Sequence, residues 1–206
     1  MRAYIGLGAN VGDPAATMAA GVNALAALPG AKMRGVSALY ATEPVGVIDQ
    51  PEFRNAVVAI DVPPGPDPAT GALALLVALK RLERAFGRRD RERWGPRELD
   101  LDLLVFGRHL IDVERPAEAR STDPSRPTDL VVPHRSAGER LFVLAPLADL
   151  APRLVPPGWT ETVESARRRR EAVEGADAVR PIARWTDGAW TAETPASPAP
   201  ESRQPR

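Results

Sequence analysis

Cysteine is absent from the 206-residue chain, which excludes disulfides, thiolate metal sites and cysteine nucleophiles together. Net charge is absent too, because 27 Lys and Arg balance 27 Asp and Glu. No overall basic field therefore points to nucleic acid or to an anionic membrane, and an anionic ligand must be held by local charge. No stretch approaches the roughly 20 apolar residues that span a bilayer, and the opening MRAYIGLGANVG lacks the long apolar core of a signal peptide. Together these absences lead us to expect a cytoplasmic protein. A phosphate loop ending in Gly-Lys-Ser/Thr is missing, so a nucleotide would not be held by a P-loop. GLGANVG imitates a dinucleotide fingerprint, but Gly12 comes one position late and no acidic residue follows at a matching strand end near position 30. Ser37 and Ser136 have no His and Asp context for nucleophilic work.

A chain that is 44% hydrophobic and 26% charged can bury a core without staples. Residues 3–7 (AYIGL) read as a strand. Asp13-Pro14 then starts a helix carrying Met18, Val22, Leu25 and Leu28, which Pro29-Gly30 ends. Residues 33–41 read as a second strand, 42–51 as a loop and 53–62 as a third strand. Asp67-Pro68 opens a second helix with Leu73, Leu76, Leu79, Leu82 and Phe86, closed by Gly87. A very basic loop, 88–97, leads to a strand at 99–106. Composition makes 107–129 irregular, with a solvated insertion at about 112–129, and makes 191–206 a disordered tail. Structure resumes at 130–134, followed by a helical or mixed segment at 139–150 and a helix at 160–172. The Arg167–Arg170 run of that last helix reads as a solvated face. Two strands joined by a loop too short for a crossover helix indicate an α+β protein with a mixed sheet.

The stretch RWGPRELDLDLLVF, residues 93–106, carries the chemistry. Side chains alternate along a strand, so Asp100 and Asp102 share one face while Leu99, Leu101 and Leu103 point to the core. Adjacent carboxylates repel unless a cation lies between them. Mg²⁺ takes hard oxygen ligands and completes its shell with water and substrate phosphates. Arg88, Arg89, Arg91, Arg93 and Arg97 lie just upstream, and arginine forks suit phosphate. Metal and guanidinium beside each other point to the charge of a polyphosphate and to phosphoryl-type transfer.

Four ordered stretches share a further pattern: YIGLGANVGD at 4–13, YATEPVGVIDQPEFRNAVVAI at 40–60, ERAFGR at 83–88 running on to RWGPRELDLDLLVFG, and VVPHRSAGERLFVLAPLADLAP at 131–152. This combination resembles the 6-hydroxymethyl-7,8-dihydropterin pyrophosphokinases of the folate pathway. The resemblance implies a three-layer αβα sandwich with a ferredoxin-like mixed or antiparallel sheet, and one catalytic domain over residues 1–190. It implies ATP as co-substrate and two Mg²⁺ ions on Asp100 and Asp102. Arg88 and Arg97 would act on the phosphates, joined at the nucleotide by His134, Arg140 and Glu83. Thr42, Pro44, Val45, Gly46, Phe53, Asn55, Trp94 and Phe142 would line the pterin pocket. Phe53 and Asn55 share a face by period 2, and stacking faces with a few polar partners suit a flat heterocycle. The resemblance further implies a monomer without nucleic-acid or membrane partners, with the neighbouring folate-pathway enzymes as candidate associates.

Overall fold

The computed structural model describes residues 1–43, 50–87, 97–121 and 127–192. Its central element, β1 (Arg2–Ala9), alternates strictly: Ala3, Ile5, Leu7 and Ala9 are buried on one face, while Gly6 and Gly8 lie on the other. β4 (Phe53–Asp61) pairs antiparallel with β1 from Arg2↔Asp61 to Ala9↔Arg54. On the other side of β1 runs β5 (Asp100–Phe106), with Gly8↔Asp100, Leu7↔Leu101 and Gly6↔Asp102 as partners. The buried aliphatics of β1 and β4 suit strands flanked on both sides, while β5 stands at one end of the sheet with its leucines covered by the helices.

The strand read at 33–41 is two strands, β2 (Lys32–Val36) and β3 (Leu39–Thr42), and both pair with β4. Ser37 causes the break. Its hydroxyl accepts the Val57 N–H at 2.9 Å and donates to the Ala38 carbonyl at 2.7 Å, so a side chain substitutes for a ladder group.

α1 (Pro14–Ala26) and α2 (Pro68–Ala85) cover one face of the sheet. Both begin as the sequence indicates: Asp13 accepts the Ala16 N–H at 3.0 Å, Asp67 accepts the Thr70 N–H at 2.9 Å, and proline opens the first turn. Met18, Val22 and Leu25 from α1 and Leu75, Leu76 and Leu79 from α2 fill the core against Ile5, Leu7, Leu101 and Leu103. α3 (Leu141–Leu150) and α4 (Val163–Glu174) cover the opposite face, where Leu144, Leu147, Val163 and Ala166 pack on Val57 and Leu104. The arginine run of α4 is neutralised on the helix itself and beside it: Arg167 and Arg168 pair with Glu164, Arg169 with Glu161, and Arg170 with Glu174. Among the described residues every strand pairing is antiparallel, so the sandwich is α+β with an antiparallel sheet rather than the mixed one that the short strand connection indicates.

Two regions differ from the sequence expectation. Within 107–129, β6 (Ile111–Glu114) pairs with β7 (Asp129–Val132), and a 3-10 turn covers Ala117–Ala119; the segment 122–126 lies outside the described residues. Only two apolar residues mark β6, Ile111 and Val113, and the Pro-rich stretch that follows hides them. At the C-terminus, β8 (Val179–Thr186) adds to β3 and turns back into β9 (Ala189–Ala192). Asp187 and Gly188 both have positive φ, 51° and 86°, which is how a two-residue Asp-Gly turn matches the twist of a hairpin. Trp185 and Trp190 meet edge to face at 4.7 Å across it, and Trp190 Nε1 donates to the Ser37 carbonyl at 3.0 Å. β9 extends to residue 192, so the tail expected from 191 begins within a strand; residues 193–206 are outside the described set.

Candidate active site

Asp100, Gly8, Asn55 and Tyr40 form a row across four strands, because Gly8 pairs with both Asp100 and Asn55, and Asn55 with Tyr40. The row lies on the α3 side of the sheet, beyond the helix. Asp102 follows on the same face, next to Gly6. A Cβ on Gly8 would sit 3.5 Å from Asn55 Oδ1 and 4.0 Å from the Asp100 Cβ. Glycine thus leaves bare backbone between the carboxylates and the amide, an open floor that any other side chain would fill.

Asp100 and Asp102 are both half-buried. Arg97 pairs with Asp100, and both side chains are largely covered, at 23% and 17% exposed. Among the described residues no group of three or more His, Cys, Asp or Glu forms a metal cage. Two carboxylates over an open floor fit a cation of the magnesium kind, which draws its other ligands from water and phosphates.

Behind this strand stands Glu83, only 2% exposed. Its Oε1 accepts the Leu101 N–H at 2.7 Å and the Lys80 ammonium at 2.7 Å, and Lys80 also donates to the Leu101 carbonyl at 3.1 Å. In the structure, Glu83 therefore supports the backbone between the two aspartates. Arg115, which sequence reasoning passed over inside the supposed insertion, is half-buried at the end of β6. Its Nε donates to the Asp129 carbonyl at 3.0 Å. Burial lowers its affinity for the proton, and the charges of Asp102, Glu83 and Asp129 oppose that effect. The guanidinium therefore lies within reach of the charges of Asp102, Glu83 and Asp129. The only signal in the sequence was the possible pairing of 111–114 with 129–132.

The loops that end at the site meet on Asn10, which is 2% exposed. Asn10 exchanges hydrogen bonds with the Arg97 backbone, and its Nδ2 donates to Gln50 Oε1 at 3.1 Å and to the Pro51 carbonyl at 3.3 Å.

On the aromatic side, Thr42 pairs with Phe53, and Asn55 donates from Nδ2 to Thr42 Oγ1 at 2.8 Å. Phe142, in the first turn of α3, packs with Tyr40 and Leu141, and the Arg140 guanidinium carbon is 5.7 Å from its ring centre. A residue assigned to phosphate and one assigned to pterin are thus neighbours. Tyr40, buried beneath, donates to Asp149 Oδ1 at 2.9 Å; burial, then the Asp149 charge, pushes its pKa up. His134 is tied to β5 by its N–H, which donates to the Leu104 carbonyl at 2.9 Å. The Ser136 N–H donates to His134 Nδ1 at 3.3 Å.

The structure thus brings together Thr42, Phe53, Asn55, Arg97, Asp100, Asp102, Arg140 and Phe142 around one end of the sheet, with Glu83 behind and His134 attached to β5. Pro44, Val45, Gly46, Arg88 and Trp94 lie outside the described residues.

A half-buried carboxylate pair with Arg97 on one member, on the same sheet as an amide and aromatic side chains, suits an enzyme of phosphoryl-type transfer. The comparisons with known proteins make the class specific. A family model described as 7,8-dihydro-6-hydroxymethylpterin-pyrophosphokinase (HPPK) matches residues 4–152, and the chain belongs to this family. It is 44% identical over 165 residues to the 2-amino-4-hydroxy-6-hydroxymethyldihydropteridine pyrophosphokinase of Methylorubrum extorquens, covering 80% of this chain and 90% of that one. The Pseudomonas aeruginosa protein of the same name is 42% identical over 156 residues, 76% of this chain and 84% of its own. Among solved structures, the wild-type Plasmodium falciparum HPPK-DHPS with pteroate superposes with a TM-score of 0.67 over 93% of this chain at 16% identity. That likeness concerns the fold, and the chain spans 47% of that longer protein. No helix among the described residues is long and apolar enough to cross a membrane.

Proposed function

We infer that this chain transfers the terminal pyrophosphate of MgATP to the primary hydroxyl of 6-hydroxymethyl-7,8-dihydropterin, releasing AMP and the pterin diphosphate used in folate biosynthesis. The observation that carries the reading is the Asp100–Gly8–Asn55 row, which sets a carboxylate and an amide on either side of one open floor. Asp100 and Asp102 would hold the magnesium, as two ions. Bound magnesium neutralises charge on the triphosphate and aligns it. Arg97 exchanges its Asp100 contact for phosphate, and Arg88, Arg115, Arg140 and His134 complete the nucleotide site. Glu83 serves that site from behind, through the backbone of β5. Phe53 and Phe142 stack on the pterin, and Asn55, oriented by Thr42, reads its polar edge. Pro44, Val45, Gly46 and Trp94 are assigned to the pterin by the family resemblance alone. The pterin hydroxyl attacks the β-phosphorus in line, and its proton passes to the Asp102 carboxylate as AMP leaves. The enzyme works as a monomer in the cytoplasm, its domain covering residues 1–190.

Nucleotide product analysis with MgATP and 6-hydroxymethyl-7,8-dihydropterin tests this. AMP formed only in the presence of the pterin supports it. ADP would mean a simple kinase, and no turnover with the pterin still bound would mean a binding module.

A further inference from the structure

Leu101 lies between Asp100 and Asp102, and both of its backbone polar groups are captured by a single turn of α2. The Glu83 carboxylate accepts its N–H and the Lys80 ammonium donates to its carbonyl, while Lys80 and Glu83 are joined to each other. β5 stands at one end of the main sheet, with β1 as its ladder partner there. On the side away from β1, the two helical side chains replace a neighbouring strand. They do so at Leu101, whose peptide groups link the Cα atoms of both aspartates.

The choice of cation is informative. Of the 27 basic residues only Lys32 and Lys80 are lysine, and the rest are arginine. A guanidinium is a planar fork suited to phosphate or carboxylate edges, whereas an ammonium is a compact point with three rotatable donors. The compact ammonium of Lys80 reaches one carboxylate oxygen and one carbonyl together. Lys80 is 15% exposed and Glu83 3%, so the pair is screened little by solvent. The pair meets the backbone of β5 at Leu101, while the two aspartates project from the other face of the strand.

We propose that Lys80 is a positioning residue of the cation site: with Glu83 it clamps the Leu101 peptide and thereby sets the spacing and direction of the Asp100 and Asp102 carboxylates. The proposal rests on reading those aspartates as the magnesium ligands. Outer partners that orient metal ligands characteristically change metal affinity about 10- to 100-fold when removed.

The test is calorimetric and needs no turnover. The Mg²⁺ concentration that half-saturates binding of a non-hydrolysable ATP analogue is measured for the full chain and for Lys80→Met, Lys80→Gln, Asp102→Asn and the double variant Lys80→Met/Asp102→Asn. Lys80→Met should raise the half-saturating Mg²⁺ by about tenfold or more. Lys80→Gln, which keeps an N–H donor for the Leu101 carbonyl, should stay within about threefold of the parent, and it retains a folded comparison if Lys80→Met is unstable. In the Asp102→Asn background Lys80→Met should add no further shift. A merely structural role would lower the melting temperature and leave the Mg²⁺ dependence alone. An unchanged Mg²⁺ requirement in Lys80→Met overturns the clamp while leaving the aspartate assignment intact, as does a shift that persists in full without Asp102. Analogue binding that is independent of Mg²⁺ in the parent overturns the aspartate assignment and the clamp with it.

Discussion

The Asn10 side-chain carbonyl accepts the Arg97 backbone N–H at 2.8 Å, and the Arg97 carbonyl accepts the Asn10 N–H at 3.0 Å. This reciprocal pair fixes the segment that delivers Arg97 to Asp100. Asn10→Ala keeps the backbone half and strips the Arg97, Gln50 and Pro51 groups of their side-chain partner. A stability loss of about 1–3 kcal/mol follows from unpaired buried groups. In steady-state kinetics, kcat/KM should fall further than that loss explains, since Arg97 is no longer held. Full kcat/KM in a destabilised variant would separate Asn10 from the chemistry.

Asp102→Ala should reduce kcat by about a hundredfold or more while pterin binding, measured by calorimetry with an ATP analogue, changes little. Retention of turnover would remove both the metal role and the proton-accepting role from Asp102.

Thr42→Val preserves volume and deletes the acceptor that orients the Asn55 amide at 2.8 Å. With the amide free to rotate, pterin affinity should drop by about tenfold, consistent with the ~1–3 kcal/mol of a lost buried partner. Nucleotide binding measured alone should be unaffected. If both ligands weaken equally, the Thr42–Asn55 contact serves the sheet rather than the pocket.

Arg115→Ala should raise KM for ATP by about tenfold or more, because a charge-assisted contact is worth roughly 1.5–3 kcal/mol. The pterin KM should hold. Arg115→Lys restores charge without the fork and should recover part of the loss.

Acid stability offers a check outside the site. The Arg167 and Arg168 guanidinium groups hold the Glu164 carboxyl down at about 2. A carboxylate with a depressed folded pKa contributes stability above its unfolded value, near 4.3, and loses it as pH falls toward 2. Glu164→Gln should therefore cost about 0.5–1 kcal/mol at neutral pH, the usual scale of a partly exposed pair. In urea titrations the gap from the parent should close between about pH 4.5 and 2. A gap that stays constant across that window would show that the ion pairs contribute nothing.

Much of this fold was legible because local signals and burial agree. Asp13-Pro14 and Asp67-Pro68 announce α1 and α2, and the LDLDLLVF alternation gives β5 and the shared face of Asp100 and Asp102 without ambiguity. The missed parts depend on tertiary pairing. Ser37 divides a strand through a hydroxyl bonded 20 residues away, which no local propensity encodes. β6 is a strand only because 129–132 lies beside it, and with it Arg115 passed unnoticed. The Asp187-Gly188 turn was a readable hairpin signal, since two residues of that type between apolar segments favour it. At the site, sequence pattern identified residue types and their faces. The Lys80–Glu83 hold on Leu101 could not be read from it, because a side chain that meets a backbone group 18 or 21 residues away leaves no periodic trace.

The knot at Asn10 also has a kinetic side. It joins partners 40, 41 and 87 positions away along the chain. Closing such separations is entropically slow and is rewarded only when β1, β4 and β5 have already found one another. The floor around Gly8 is therefore expected to form late in folding. In stopped-flow refolding, recovery of nucleotide binding is expected to lag recovery of the helical signal; simultaneous recovery would show that the Asn10 contacts form with the rest of the fold.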